Sequence, residues 1–398
     1  MTVLQPVADR EDSDVRFARA LHRHGLRQAQ GWLDSRFEGL SQTAIASEVQ
    51  VSRPTISGLA HRAGSVLVES RSGLALDPRK NGYAVGIDFG QAHHRVALAD
   101  IHGQLFEPAD PLRYETEGNS DPASISFGWA AERIPMLLEE ANLEPSRIWA
   151  VGVSLPGPVN ARTRRLQQAP AGMDRSWEIV DVRLPLHLAL PTPTVESDYN
   201  ASALTEHLWG ATRRSRDALY VKIGQRCACS LLVDHRIYRG SDGLAGRLGK
   251  TAIANPDGAE EEWVLVEDVF SLAALCRGDY ADLSAIELVD RASNDPVLNK
   301  ALRRGARGLG VALAPIIDAL NPESVVIGGA LGTASLAWIA ADLIDGINST
   351  GTSPARLTIS ERLGAGAFSQ FTAIRGVMAS ALLADAPTRI AAAMAVGD

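Results

Sequence analysis

The chain has 398 residues, more than one compact core usually organises, so two or three domains are expected. Hydrophobic residues make up 45% and charged residues 22%, a composition that excludes a disordered or collagen-like chain. The net charge of −8 excludes a uniformly basic nucleic-acid binder.

The opening MTVLQPVADREDSD lacks the basic patch and apolar stretch of a secretory leader. The charge is uneven: residues 1–80 carry a net +2 and the remainder −10, a mildly basic head on an acidic body. Leu26, Ala29, Leu33 and Phe37 mark an early helix. Ser41 is placed to cap a second helix whose apolar face carries Ala44, Ile45 and Val49. A short turn at Gln50 and Val51 follows. Ser52 then caps a third helix, with Pro54 in its first turn and Ile56, Leu59 and Ala63 on its buried face. Two helices joined this way make a helix-turn-helix, whose second helix enters the major groove by its N-terminal end. Ser52, Arg53, Thr55, Ser57 and Arg62 are the candidate DNA-contacting residues of that helix. Residues 66–77 alternate and turn at Ser72-Gly73, which predicts a hairpin with Arg71 at its tip, a further DNA candidate. A plain helical bundle is the alternative reading of this head.

Strands are expected at 84–89 (AVGIDF), 94–100 (HRVALAD) and 104–108 (QLFEP), then a helix at about 122–142 and a strand at 148–155. A similar triplet returns at 218–223 (ALYVKI), 229–234 (CSLLVD) and 236–240 (RIYRG). A long helix at about 296–319, a strand at 324–327 and a last helix near 366–383 complete the chain. The class is α/β, and the recurring triplet suggests two related lobes around a cleft. No run of about 18 uncharged apolar residues occurs, so no membrane span is expected. Cys227, Cys229 and Cys276 are too few for a disulfide framework, which points to a reduced, cytoplasmic compartment.

Several segments together carry a family resemblance: IDFG at 87–90, GVSLPGPV at 152–159, VESDYNASALTEHLWGA at 195–211, IYRGSDGLAGRLGK at 237–250 and NPESVVIGGAL at 321–331. The body resembles the ROK family of repressors and sugar kinases, within the actin-like ATPase superfamily. The head, with VSRPTIS at 51–57, is similar to the winged helix on that family's repressors. The resemblance implies a winged helix-turn-helix at 1–80, a first lobe at 81–198 and a second lobe at 199–398, with a return of the last helix to the first lobe left open.

The kinase signatures are altered in this sequence. The first phosphate loop reads Asp88-Phe89-Gly90-Gln91-Ala92-His93 and the second Gly224-Gln225-Arg226-Cys227-Ala228-Cys229, each short of the glycines that let phosphates approach the backbone. Asp198 matches the family's general base, with Ser197 in place of its usual Asn neighbour; helix N-cap is its other reading. The family's Glu-x-Gly-His is Arg247-Leu248-Gly249-Lys250. Its cysteine-rich zinc motif is a cysteine-free segment at 255–268, whose Glu267 aligns with a sugar-contacting Glu. Asp198, Arg247, Lys250 and Glu267 are thus the candidate ligand-binding residues, expected close together, with either the four charges pairing or an anionic sugar taking the cations.

The leading expectation is a cytoplasmic, non-enzymatic repressor without cofactor or metal. It would bind an inverted-repeat DNA operator as a homo-oligomer, dimer or tetramer, and sense a small-molecule effector such as a sugar or anionic sugar derivative. A sugar kinase with an accessory head, and a DNA-binding dimer that no longer senses a ligand, are the alternatives.

Overall fold

The computed structural model describes residues 12–28, 39–70, 72–91, 93–106, 112–115, 122–160, 162–170, 172–179, 182, 188–255, 262–349, 351, 353–368 and 371–396. The head begins with helix α1 (Ser13–Gln28), followed by α2 (Gln42–Val49) and α3 (Arg53–Arg62). Strands β1 (Leu67–Ser70) and β2 (Gly73–Leu76) form an antiparallel hairpin that turns at Gly73, whose φ of 143° suits a glycine. The first helix starts earlier than expected, at Ser13. Leu26 is on it and buried, but its apolar face is set by Phe17, Leu21 and Leu26, while Ala29, Leu33 and Phe37 lie outside the described residues. Ser41 and Ser52 cap α2 and α3 as their positions predict, and Gln50 ends α2 in a left-handed conformation.

The first body sheet contains β3 (Tyr83–Phe89), β4 (His93–Asp100), β5 (Leu112–Glu115), then, after α4 (Ala123–Glu140), β6 (Ile148–Leu155). A small hairpin of β7 (Val159–Asn160) and β8 (Arg165–Leu166) and the single-turn α5 (Ser176–Ile179) precede its last strand, β9 (Thr194–Ser197). The order is β5-β4-β3-β6-β9, antiparallel across the first three strands and parallel thereafter. The expected third strand pairs with β4 over its described residues: the Asp100 amide donates to the Gln104 carbonyl and the Phe106 amide to the Leu98 carbonyl, each at 2.9 Å, with Leu105 bridged to Ala99. Residues 107–108 lie outside the described residues, and Leu112–Glu115 continues the pairing further along β4.

Helix α6 (Asp198–Trp209) leads to the second sheet, built from β10 (Ala218–Ile223), β11 (Cys227–Val233) and β12 (Arg236–Tyr238). A second small hairpin, β13 (Ala252–Ala254) with β14 (Trp263–Leu265), and the short helices α7 (Val266–Val269) and α8 (Leu272–Leu275) follow. Then come α9 (Ala285–Ala292), α10 (Pro296–Leu320), β15 (Ser324–Gly328), α11 (Ala330–Asn348), the single turns α12 (Pro354–Leu357) and α13 (Ile359–Arg362), β16 (Leu363–Ala365) and α14 (Thr372–Val396). The second sheet runs β12-β11-β10-β15-β16, again an antiparallel triplet continued by parallel strands, so the repeat legible in the sequence is a repeat of topology.

Helix α14 lies on the first sheet. Gly86 and Gly152 are register partners on β3 and β6 and together leave a slot for it. A methyl group on Gly152 would meet the Val377 carbonyl at 2.3 Å, and one on Gly376 would meet the Ala201 carbonyl at 1.7 Å. The far end of the helix reaches the head: Ile390 and Met394 share one buried cluster with Phe17, Leu21, Ile45, Ile56 and Leu76. α11 and α14 are long and apolar enough to cross a membrane, yet both bury apolar residues in the body, and Asp342, Asp345, Arg375, Asp385 and Arg389 interrupt them.

Candidate functional site

Two regions present chemistry. The first is α3. Ser52 accepts the Thr55 amide at 3.3 Å, and the two hydroxyls are 2.7 Å apart, so both residues build the helix start. Ile56 and Leu59 are fully buried, whereas Ser52, Arg53, Thr55 and Ser57 are exposed. His61 is exposed as well and lies four residues after Ser57 on the outward face; that spacing could have singled it out. Arg62 stands apart from the other candidates. Its guanidinium donates to the Asp14 carboxylate of α1 at 2.7 Å, so it braces the helix pair rather than standing free for DNA. Arg71 lies outside the described residues.

The head is fastened to the body. The Nε2–H of His22 on α1 donates to the Ile101 carbonyl, and that of His102 to the Leu76 carbonyl, each at 3.0 Å. Trp209 of α6 donates its indole N–H to the Leu26 carbonyl. Burial, reinforced by the neighbouring His102, pushes the His22 imidazole from 6.5 down to about 3. The connection at 77–82 is likewise fixed. Asn81 donates to the Val66 and Asp77 carbonyls at 3.0 and 2.7 Å, and Arg147 donates to the Asn81 carbonyl at 2.7 Å.

The second region is the set of charged residues on α6, β10 and the turn Leu248–Lys250. Asp198 is the first residue of α6, not its N-cap: Ser197 holds the extended cap position, and no side chain closes the cap. The Asp198 carboxylate instead accepts the Lys222 ammonium of β10 at 2.6 Å. Glu267 is buried and accepts Lys250 at 2.5 Å, with Arg226 at 3.5 Å. Arg247 joins neither carboxylate; it donates to the side-chain amide of Gln168. Of the four ligand candidates, then, Lys250 and Glu267 meet directly, while Asp198 has a partner absent from the expected set. Lys222 was not recognised because a lysine on an alternating strand reads as a solvent-facing residue.

Further carboxylates of the body are also matched by cations of the chain. Glu196 of β9, 3% exposed, accepts Arg239 at 2.7 Å and Asn200 at 3.1 Å. Asp88, near the end of β3, lies 3.8 Å from Arg95, whose guanidinium covers the ring of Phe371, the residue before α14. Burial holds the Cys229 thiol up at about 12 and raises Cys227 too, so neither is a thiolate ready for a metal. Among the described residues no group of three or more His, Cys, Asp or Glu is placed to hold a metal; residues 256–261 lie outside them.

Residues 84–343 match the family model "ROK family". The chain belongs to the ROK family. It is 23% identical over 300 residues to the "Xylose repressor" of Bacillus subtilis strain 168, covering 74% of this chain and 76% of that protein. It is 24% identical over 319 residues to the "DNA-binding transcriptional dual regulator NagC" of Escherichia coli K12, covering 73% and 74%. Among solved structures, a ROK family transcriptional regulator described as a homologue of the E. coli MLC protein superposes with a TM-score of 0.69 at 18% identity, over 94% of this chain and 97% of its own. A ROK family glucokinase from Streptomyces griseus, in complex with glucose and AMPPNP, superposes with a TM-score of 0.60 at 20% identity, covering 75% of this chain and 99% of that one. The glucokinase thus matches three quarters of this ROK chain from end to end of its own length, whereas the regulator matches nearly all of both.

Proposed function

We propose that this ROK protein is a cytoplasmic transcriptional repressor that reads an inverted-repeat operator with α3, as a homo-oligomer, and that its kinase-like body is a non-catalytic sensor. The observation that carries this reading is the α2–turn–α3–hairpin head, with Arg53 and Ser57 exposed on α3, built onto the family's body. The similarity to xylose repressors and to NagC agrees with it. The division into a head at 1–80 and two lobes meeting near residue 198 belongs to the same proposal. The head shares a buried core with the first lobe, so it moves with that lobe, and a ligand that changes the angle between the lobes changes the spacing of two heads in a dimer.

The kinase reading is disfavoured by Lys222, which occupies the carboxylate that would take the sugar proton. Internal pairing of Glu196, Asp198 and Glu267 favours a second reading, a DNA-binding dimer whose cleft is closed. The test is selection of duplexes from a random pool by the full-length protein, followed by mobility-shift titration with Arg53→Ala. Enrichment of an inverted repeat, bound more weakly by the variant, supports the repressor. Failure to enrich any sequence overturns it. Raised thermal stability with a sugar or sugar acid separates the sensor from the closed dimer.

A further inference from the structure

Two segments of chain connect α6 and α14 to the second sheet. The chain leaves α6 for β10 through residues 210–217, and it returns from β16 to α14 after residue 365. One side chain holds both segments. Glu206, in the last turn of α6, is 0% exposed. Its Oε2 accepts the Ala211 amide at 2.8 Å and the Ala367 amide at 3.0 Å, and its Oε1 accepts the Phe368 amide at 3.0 Å. Its main-chain carbonyl accepts two more amides, from Gly210 at 2.9 Å and Thr212 at 3.2 Å. Glu206 thus receives three amides of the outgoing segment and two of the returning one.

The fit is close. A methyl group on Gly210 would lie 2.0 Å from Oε2, and one on Gly366 would lie 2.9 Å from Oε1, so glycine at both places lets the main chain approach the carboxylate. Among the described residues Glu206 forms no ion pair, and its charge is met by the three amides. A buried carboxylate lacking such donors is costly, and hydrogen bonds to an ionised acceptor are stronger than those to a neutral one. A glutamine offers one acceptor oxygen where this site uses two.

The surroundings of α6 belong to both lobes. Thr205 donates to the Thr372 carbonyl at 2.6 Å, and the Ser202 and Thr372 hydroxyls are 3.0 Å apart, which ties α6 to the start of α14. Leu208 and Trp209 enter the core shared by the head and the first sheet. Ala203 enters a cluster with Ala218, Tyr220, Leu232 and Val326 of the second sheet. The Gly366 amide donates to the Ile327 carbonyl of β15 at 2.9 Å, so the returning chain is still part of the second sheet one residue before Glu206 takes hold of it.

We infer that Glu206 is the pin of the joint between the lobes: its carboxylate fixes both connecting segments at one point, and that attachment sets the resting angle of the second sheet relative to the first. Hinges are a few element-terminal residues that absorb a change of backbone angle, and Gly210 and Gly366 flank the anchored amides. Glu206 is a positioning residue, and the inference holds whatever ligand or DNA the protein binds.

The experiment measures distances between pairs of nitroxide labels by pulsed electron resonance. It uses full-length protein carrying Cys276→Ser, diluted with unlabelled protein so that only pairs within one chain report. Cys227 and Cys229 are buried and stay unlabelled. One pair, Glu139→Cys with Lys300→Cys, spans the lobes from α4 to α10. The other, Glu69→Cys with Glu139→Cys, joins the head to the first lobe, and all three positions are exposed. Glu206→Gln is expected to shift the interlobe distance or broaden its distribution roughly twofold, with the second pair unchanged. Gly366→Ala, whose methyl group displaces the carboxylate and leaves its charge in place, is expected to do the same, and it carries the test where Glu206→Gln does not fold. An unchanged interlobe distribution would overturn the inference, because the carboxylate then only fills space. Equal broadening of both pairs would overturn it as well, because the loss is then general rather than confined to the joint.

Discussion

Lys222 Nζ lies 2.6 Å from Asp198 Oδ2, so a strand lysine occupies the carboxylate that the family resemblance implies as a general base. Phosphoryl transfer depends on positioning and electrostatics, and here that carboxylate is committed to a cation of its own chain. The protein is therefore expected to transfer no phosphate from ATP to glucose or xylose in a coupled assay; turnover in the usual kinase range of about 1–100 s⁻¹ would refute this. Lys222→Met should lower stability by about 1–3 kcal/mol, because a largely buried carboxylate loses its partner. Adding Asp198→Asn should recover part of that loss, which denaturant titration of the double-mutant cycle measures.

Arg53 and Arg62 lie on the same helix but should behave differently. Arg53→Ala is expected to weaken binding to the selected operator by about 1–3 kcal/mol if it pairs with a guanine. Arg62→Ala, which removes the contact with Asp14, should instead cost up to about 1 kcal/mol of stability, with a smaller effect on DNA affinity. Mobility-shift and thermal unfolding measurements on both variants distinguish reading from bracing. Equal loss of affinity in the two would contradict the division.

The buried histidines make the head's attachment sensitive to acid. His22 faces His102 and Arg23, and His102 faces Asp100, Asp77 and His24. Both imidazoles are held neutral by burial, so protons bind more readily once α1 is released or unfolded. Stability from His22 is fully present above pH 6.5 and falls as pH drops from there toward about 3. At pH 5 this one group should cost about 2 kcal/mol. The expected result is a lower unfolding temperature at pH 5 than at pH 7.5, with a shallower decline in His22→Gln, which keeps a donor for the Ile101 carbonyl. Identical pH profiles in the two proteins would exclude His22 as the cause.

Gly152 and Gly128 provide a packing test. Gly152→Ala places a methyl group against the Val377 carbonyl of α14, and should destabilise by about 1–3 kcal/mol or more because backbone has to move. Gly128, on the exposed side of α4, has nothing within 4 Å, so Gly128→Ala should stabilise by about 0.5–1 kcal/mol through helix propensity. Chemical denaturation of both variants checks the sign of each.

What the sequence by itself determined is whatever a few neighbouring residues can encode. Ser41 and Ser52 cap their helices, Ile56 and Leu59 face inward, the hairpin turns at Gly73, and the repeated strand triplet predicts a repeated sheet order. Each rests on a period or a cap spanning three or four residues. The sequence did not mark the start of the first helix at Ser13, because its apolar positions Phe17 and Leu21 are chosen by packing in one cluster with α14, nor the strand Leu112–Glu115, which is held by its ladder to β4. Tertiary structure also decided which charges meet. Asp198 and Lys222 are 24 residues apart, Arg62 and Asp14 48, and Arg239 and Glu196 43. Periodicity carries no information at such separations. An ion pair forms where the fold brings two side chains within reach and removes enough water for their attraction to outweigh hydration, and only the folded chain sets both conditions.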